Sequence, residues 1–203
     1  MGGSFISRKK VRGLGLETTA PRKVSRRLLE NKPYIVWNEF VNILAMSEYP
    51  RLSKKQRPAH LVFWYYSEVE NGGHMQYFEN RGTARVTETV AALELLGCSC
   101  HAKVLSRAAA QLKSKPRSRI RSVEEYSETA LQGEFDRFDD EYAKCQPTLD
   151  KALEGYLARN ESEFVLVGET TDPEVLERDA KLESIGRETR EAMDAKSNRG
   201  RGA

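Results

Sequence analysis

The chain has 203 residues, of which 39% are hydrophobic and 31% charged. This composition is typical of a soluble single domain with tails. No apolar segment approaches the roughly 18 residues that a membrane-spanning helix needs, and the N-terminus lacks the apolar core of a secretory signal. We therefore expect a cytoplasmic protein without a membrane anchor.

The three cysteines are an odd number, which does not fit a disulfide framework and favours a reducing compartment. Cys98, Cys100 and His101 lie close in sequence, but zinc sites usually keep about two to four residues between cysteines. No second ligand pair is present either. We interpret Cys98 and Cys100 as small apolar groups at a helix start and predict no metal or other cofactor.

Charge is unevenly distributed along the chain. The net charge is +3, but residues 1–57 carry 13 Lys and Arg against 4 Asp and Glu. Residues 113–122 add five cations without a carboxylate, whereas residues 123–203 carry 11 cations against 21 carboxylates. The protein is therefore electrically bipolar.

Three regions are predicted from composition. Residues 1–32 are rich in Gly, Ser and basic residues and too poor in apolar residues for a core, so we expect a disordered basic arm. Residues 33–168 are expected to form one helical domain. Residues 169–203 are expected to form a peripheral helix, capped at Asp172 and ending near Met193, followed by a disordered tail.

Apolar residues at helical spacing define the central domain. Pro33 and Pro58 are predicted to open its first two helices, and two short antiparallel helices are expected between residues 84 and 116. Residues 164–167 form an apolar run that is expected to be extended and docked on the bundle. The predicted fold class is all-α, a compact multi-helix bundle.

The aromatic segment of residues 61–80 is interrupted by Asn71, Gly72 and Gly73. Each glycine costs roughly 1 kcal/mol relative to alanine inside a helix, whereas Asn and Gly suit a helix end or a cap. We therefore predict a helix, a corner and a second helix that folds back on the first.

Polar side chains flank this corner. We expect the amides of Gln76 and Asn80 to satisfy open backbone groups there, and Glu68 and Asn71 to anchor the turn. His74 is expected to be a partly buried or capping residue.

The segment from Glu68 to Asn80 has the pattern Glu-Val-x-Asn-Gly-Gly-x-x-Gln-Tyr-Phe-x-Asn. This pattern resembles the C-terminal domain of the bacterial DNA-mimic proteins, a helical domain family mostly without assigned function. The resemblance covers residues 34–160 and is strongest over 61–105. It implies an all-α protein that presents acidic side chains in a DNA-like arrangement and occupies a transcription factor. The motif residues are Glu68, Asn71, Gly72, Gly73, Gln76 and Asn80.

A long helix is predicted from residue 123 to Lys144, opened by a capping box of Ser122 and Glu125. Its buried side is expected to hold Val123, Tyr126, Ala130, Leu131, Phe135, Phe138 and Tyr142. Another face carries a carboxylate ridge about 20 Å long. The candidate partner-binding residues on this ridge are Glu125, Glu128, Asp136, Asp139 and Asp140.

These carboxylates can stand in for phosphates before a basic helix-turn-helix partner. The other interpretation is the ordinary solvated face of an amphipathic helix. Arg137 interrupts the ridge, and the chain as a whole is slightly basic, where a DNA mimic should be strongly acidic.

A catalytic site would have to be built from the polar residues around the glycine corner, Glu68, Glu70, Asn71, His74 and Gln76. Glu70 and His74 share a face only if the helix runs unbroken, which the glycines oppose. The sequence also shows no nucleophile elbow and no phosphate-cradling loop. We therefore predict no enzymatic activity.

The predicted function is a non-enzymatic protein-binding module, a DNA-mimic-like regulator of transcription that engages a basic or DNA-binding protein through the acidic helix. The alternative is a nucleic-acid-associated protein that binds through its basic arm and the loop of residues 113–121.

Overall fold

The computed structural model describes residues 18–115, 120–169 and 173–184. Their helices are α1 (Arg26–Asn31), α2 (Ile35–Met46), α3 (Gln56–Arg81), α4 (Val86–Leu95), α5 (Ser99–Ser114), α6 (Val123–Leu131), α7 (Asp136–Tyr142), α8 (Leu149–Asn160) and α9 (173–184). Two short strands, β1 (Arg22–Ser25) and β2 (Val165–Gly168), and two single-turn 3₁₀ helices at Tyr49–Arg51 and Glu161–Glu163 complete these elements. The predicted all-α bundle is confirmed.

Helix α3 is the central element of the bundle and packs against α2, α4, α7 and α8. The largest fully buried side chains come from α3 and from the elements around it: Phe40, Tyr65, Leu93, Leu105, Phe138, Leu153 and Phe164. Burial of this apolar surface is the main force that holds the helices together. None of the helices in the described ranges has the length and apolarity needed to cross a membrane.

The two strands form a parallel pair in which Arg22 lies opposite Val165. This pair confirms that the apolar run before residue 168 is extended and docked. It also corrects the predicted arm, because residues 22–31 form β1 and α1. Val24 and Leu28 are each 1% exposed, and this burial is enough to order a basic segment once β2 supplies backbone partners. Residues 1–17 of the predicted arm lie outside the described residues.

Helix α9 lies against the beginning of the described chain. The Ser25 hydroxyl donates to Asp179 at 2.5 Å, and the Lys32 ammonium donates to the carbonyl of Leu182 at 2.5 Å. The predicted C-terminal helix is therefore docked on β1 and α1 as far as residue 184. Its predicted continuation to Met193 lies outside the described residues.

The predicted single helix from residue 123 to Lys144 is wrong, because the chain turns between α6 and α7. Gly133 has a φ of +62°, a conformation that favours glycine. The turn buries Phe135 at 2% exposure and leaves Leu131, expected in the core, 88% exposed. The 20 Å ridge is thus divided between two short helices.

The start of α6 follows the predicted capping box. The Glu125 backbone N–H donates to the Ser122 hydroxyl at 3.2 Å. The Glu125 carboxylate reaches back to the backbone N–H of Arg121 at 2.7 Å. Both bonds satisfy donors at a helix start that would otherwise lack partners.

The cysteines correct a third expectation, that no disulfide forms. Cys100 and Cys145 form a disulfide that joins α5 to the segment after α7. Cys98 is the free, buried third cysteine. An odd number of cysteines can still contain one disulfide pair. The sulfurs of Cys100 and Cys145 meet only once α5 and α7 are packed together. In the described part of the chain, no group of three or more His, Cys, Asp and Glu side chains could hold a metal ion.

Candidate functional site: a glycine corner beneath an acidic surface

The predicted break in α3 is confirmed at the two glycines. Gly72 has φ −161° and ψ 30°, and Gly73 has φ 68° and ψ −172°. The conformation of Gly73 is open essentially to glycine alone. A Cβ at this position would also lie 2.4 Å from the Asp139 Oδ2 atom. Both the backbone and the approach of α7 therefore require glycine here.

A buried carboxylate joins the two halves of α3 across the corner. Glu68 is 7% exposed and accepts hydrogen bonds from Gln76 Nε2 at 3.0 Å, Asn80 Nδ2 at 2.7 Å and Arg81 Nε at 2.9 Å. Asn71 Nδ2 donates to Gln76 Oε1 at 3.0 Å. The amides therefore satisfy this carboxylate, and not the open backbone as the sequence suggested.

The environment of Glu68 sets its charge. Burial alone would raise its pKa, but the hydrogen bonds from Asn80, Gln76 and Arg81, together with the Arg81 charge, outweigh burial and lower the pKa below its ordinary value. Glu68 is therefore a carboxylate at neutral pH. Four motif residues are thus gathered into one network, with the glycines at its turn.

His74, the first residue after the glycines, is fully buried. Its Nε2 atom lies 2.8 Å from the Tyr65 hydroxyl, and its Nδ1 lies 2.6 Å from Asp139 Oδ1. The His74 backbone nitrogen donates to the same Asp139 oxygen at 2.9 Å. Asp139 therefore satisfies the open backbone at the corner. No local sequence signal could have found this contact, because 65 positions separate the two residues.

His74 and Glu68 are buried and hydrogen-bonded within the bundle, while Asn71 lies on the surface. These three side chains therefore stabilise the turn of α3.

The acidic surface is defined here as the exposed carboxylates of α6 and α7: Glu124, Glu125, Glu128, Asp136 and Asp140. Four of the five predicted partner-binding residues belong to it. The fifth, Asp139, is half-buried because it faces the corner. Its neighbour Asp140 faces solvent, so α7 contacts the core with one side and carries charge on the other.

Two cations close to this surface, Arg107 and Arg137, are occupied where α7 packs on α5. Arg107 forms a bidentate ion pair with Glu141, with N···O distances of 2.6 and 2.9 Å. Arg137 donates to Gln111 and lies 4.5 Å from the Phe138 ring centroid. Among the described residues, no Lys, Arg or His forms an ion pair with Glu128, Asp136 or Asp140. These carboxylates are available to a basic partner.

The alternative interface, formed by the basic arm and the loop of residues 113–121, lies largely outside the described residues. Residues 1–17 of the arm and residues 116–119 of the basic loop lie outside the described ranges. Lys113, Lys115 and Arg121 border that loop. Nucleic-acid binding through these segments stays a prediction.

Comparison with known proteins identifies a family. A family model described as DMP19-like protein matches residues 50–160, which is more than half of the chain. No curated protein and no solved structure matches. The matched range contains both the glycine corner and the acidic surface, and it confirms the family resemblance of the sequence motif.

Proposed function

The chain belongs to the DMP19-like family of DNA-mimic proteins, and on this premise we propose that it regulates a DNA-binding protein by occupying that protein's basic surface. The contact is made by the acidic surface of α6 and α7. The proposed role is non-enzymatic, and its proposed setting is the bacterial cytoplasm, where transcription factors act.

The observation that carries this proposal is the attachment of α7, which carries Asp136 and Asp140 of the acidic surface, to a fixed support. Helix α7 is held to α3 by Asp139 and to α5 by the Arg107–Glu141 ion pair. A DNA-binding site reads phosphates at set positions, so a protein that imitates them gains affinity when its carboxylates are already in place.

Local charge also supports the proposal. Residues 123–144 carry eight Asp and Glu against two Lys and Arg, a net charge of −6 within a chain of net charge +3. Exposed charges interact mainly over about 10 Å at moderate salt. A basic partner at α7 and the end of α6 therefore meets a net negative surface, while the five cations of residues 113–121 directly precede α6 in the chain.

The experiment is a capture from nuclease-treated cell lysate with the full chain as bait. The test variant replaces Glu128, Asp136 and Asp140 with Gln or Asn. It leaves Asp139 and Glu125 intact to preserve the corner and the start of α6. The matched control replaces three exposed carboxylates elsewhere, Glu30, Glu154 and Glu161, with Gln.

We expect the wild type and the control to retain the same DNA-binding protein and the test variant to lose it. Retention of that protein by all three baits would refute the acidic surface as the interface. If nuclease treatment removes every retained protein, the alternative through the basic arm and loop is favoured.

A further inference from the structure

A cavity of about 410 Å³ lies away from the acidic surface, between the end of α2, both halves of α3 and the start of α4. Its size falls within the range of about 300–1,000 Å³ that is usual for small-molecule sites. The side chains that matter for its chemistry are Glu48, Tyr49, His60, Trp64, Arg81 and Arg85.

Two arginines of the cavity lie on aromatic rings. The Arg81 guanidinium carbon is 3.4 Å from the Trp64 ring centroid, and that of Arg85 is 3.7 Å from the Tyr49 centroid. A guanidinium stacked on a ring is a flat cation, on which a planar ligand ring can stack in turn. The cavity therefore offers two planar, positively charged surfaces.

Both arginines also keep unused donors. Arg81 gives its Nε–H to Glu68, and Arg85 gives Nη1 to Glu88. Within the described ranges, the Nη atoms of Arg81 and the Nε and Nη2 atoms of Arg85 have no hydrogen-bond partner. Such N–H groups have the geometry to bind phosphate oxygens.

His60 adds an unsatisfied polar atom. Its Nδ1 is buried and has no hydrogen-bond partner in the described structure. Burial, together with the charges of Arg81 and Arg85, outweighs the Leu44 backbone contact and lowers the His60 pKa to about 4. The ring is therefore neutral at pH 7, in a positive field. A buried polar atom without a partner is rare, and a ligand group could satisfy it.

We propose that this cavity binds a nucleoside monophosphate. The phosphate is held by the free N–H groups of Arg81 and Arg85, and the base stacks on the guanidinium-aromatic pairs. His60 Nδ1 and the Glu48 carboxylate supply hydrogen-bonding groups for the sugar or the base. This binding is separate from the proposed contact of α6 and α7 with a protein.

The glycine corner has a direct role in this site. Glu68 fixes Arg81 through its Nε–H, and Asn80, which also donates to Glu68, lines the cavity. The motif network therefore positions one of the two stacked cations. In this proposal the motif residues position a ligand-binding arginine in addition to forming the turn in α3.

The test is isothermal titration calorimetry of the full chain with AMP, GMP, CMP and UMP. The test variant is Arg85→Met, which keeps an apolar stem over Tyr49 and removes the N–H donors. The matched control is Arg107→Met, which removes an exposed arginine from the pair with Glu141. Unfolding midpoints of all three proteins verify that each is folded.

We expect at least one nucleotide to bind the wild type and the Arg107→Met control equally, and Arg85→Met to bind it at least about tenfold more weakly. A Trp37→Phe chain leaves Trp64 as its single tryptophan, and its fluorescence should change on binding. No binding of any of the four at millimolar concentration would overturn the proposal, as would equal affinity in Arg85→Met.

Two further ligands test separately the binding of the phosphate by the arginines and the stacking of the base. The matching nucleoside, which lacks phosphate, should bind at least about tenfold more weakly than the nucleotide, and so should inorganic phosphate, which lacks the ring. Equal binding of the nucleoside would overturn the role of the arginines. Equal binding of phosphate would overturn the stacking. None of these outcomes bears on capture through the acidic surface, so the two proposals fail independently.

Discussion

Asp139 of α7 accepts two hydrogen bonds from His74 of α3, one from the backbone nitrogen at 2.9 Å and one from ring Nδ1 at 2.6 Å. His74 is the residue at which α3 resumes after the glycine corner. The same carboxylate therefore closes the corner and docks the helix that carries Asp136 and Asp140. The family motif and the acidic surface are parts of one structural unit.

Neighbouring aspartates of α7 should behave differently when changed. Asp139→Asn should lower the free energy of unfolding by about 1–3 kcal/mol, because it weakens two bonds to a charged acceptor. Asp140→Asn should change it by no more than about 0.5 kcal/mol, because Asp140 is exposed. Urea denaturation measures both. Equal stability of the two variants would contradict the assignment of Asp139 to the corner.

Substituting alanine for Gly73 and for Gly82 separates the cost of backbone strain from the cost of a steric clash. Gly73 and Gly82 share nearly the same conformation, with φ of 68° and 64°. An added Cβ meets Asp139 at Gly73 and nothing within 4 Å at Gly82. Each substitution should cost about 1–3 kcal/mol for the backbone, and Gly73→Ala should cost at least about 1 kcal/mol more for the clash. Thermal or urea unfolding compares them. Similar losses of stability at the two positions would show that α7 shifts to accommodate the added Cβ at little cost.

Glu68→Gln should destabilise the fold in a pH-dependent way. At pH 7 the loss should be about 1–3 kcal/mol, because three donors then face a neutral amide. The pKa of Glu68 is lowered in the folded state, so its stabilisation is present above its ordinary value of 4.5 and is lost as pH falls through the lowered folded value.

The unfolding curves of Glu68→Gln and wild type should therefore approach each other as pH falls below about 4.5 and converge below the lowered pKa of folded Glu68. The exposed Glu154→Gln variant serves as the control and should match the wild type at pH 7. A stability gap that stays constant with pH would mean that Glu68 acts through shape and not through charge.

Thiol titration tests the cysteine assignment. The native chain should show no reactive thiol at neutral pH, because burial and the nearby Glu94 raise the pKa of Cys98 to about 11. After unfolding without reductant, one thiol should react, and after reduction three should. Three thiols before reduction would contradict the Cys100–Cys145 bond.

Reduction should also weaken the fold. The bond closes a segment of 45 residues, so its loss should lower stability by about 2–4 kcal/mol. Unfolding with and without reductant measures this difference, and Cys98→Ala, which leaves the bond intact, is the control. An unchanged midpoint on reduction would show that the bond does not stabilise the fold.

Local sequence signals predicted the parts of the fold that depend on local energetics. The cost of Gly72 and Gly73 in a helix located the corner, and Ser122 with Glu125 located the start of α6. Gly133 carried the same kind of signal for the end of α6, but the apolar spacing on either side favoured one long helix. The two arrangements differ at Leu131, which the single helix would bury and which is 88% exposed in the folded chain. Which apolar residues are buried depends on the assembled core.

Contacts between distant positions could not be predicted in this way. The pairing of Arg22 with Val165, the bond between Cys100 and Cys145, and the approach of Asp139 to His74 each need the bundle to be assembled first. The cavity near Trp64 is of the same kind, because its walls come from three helices. Its arginines carried no local pattern that marked them as a site.

Competition with DNA tests the central claim most directly. The protein captured by the wild-type chain is purified, and its complex with the chain is titrated with duplex DNA that the captured protein binds. If the acidic surface occupies the DNA-binding site, duplex DNA should displace the chain completely, and added salt should weaken both complexes. A stable ternary complex of the chain, the captured protein and DNA would contradict the account.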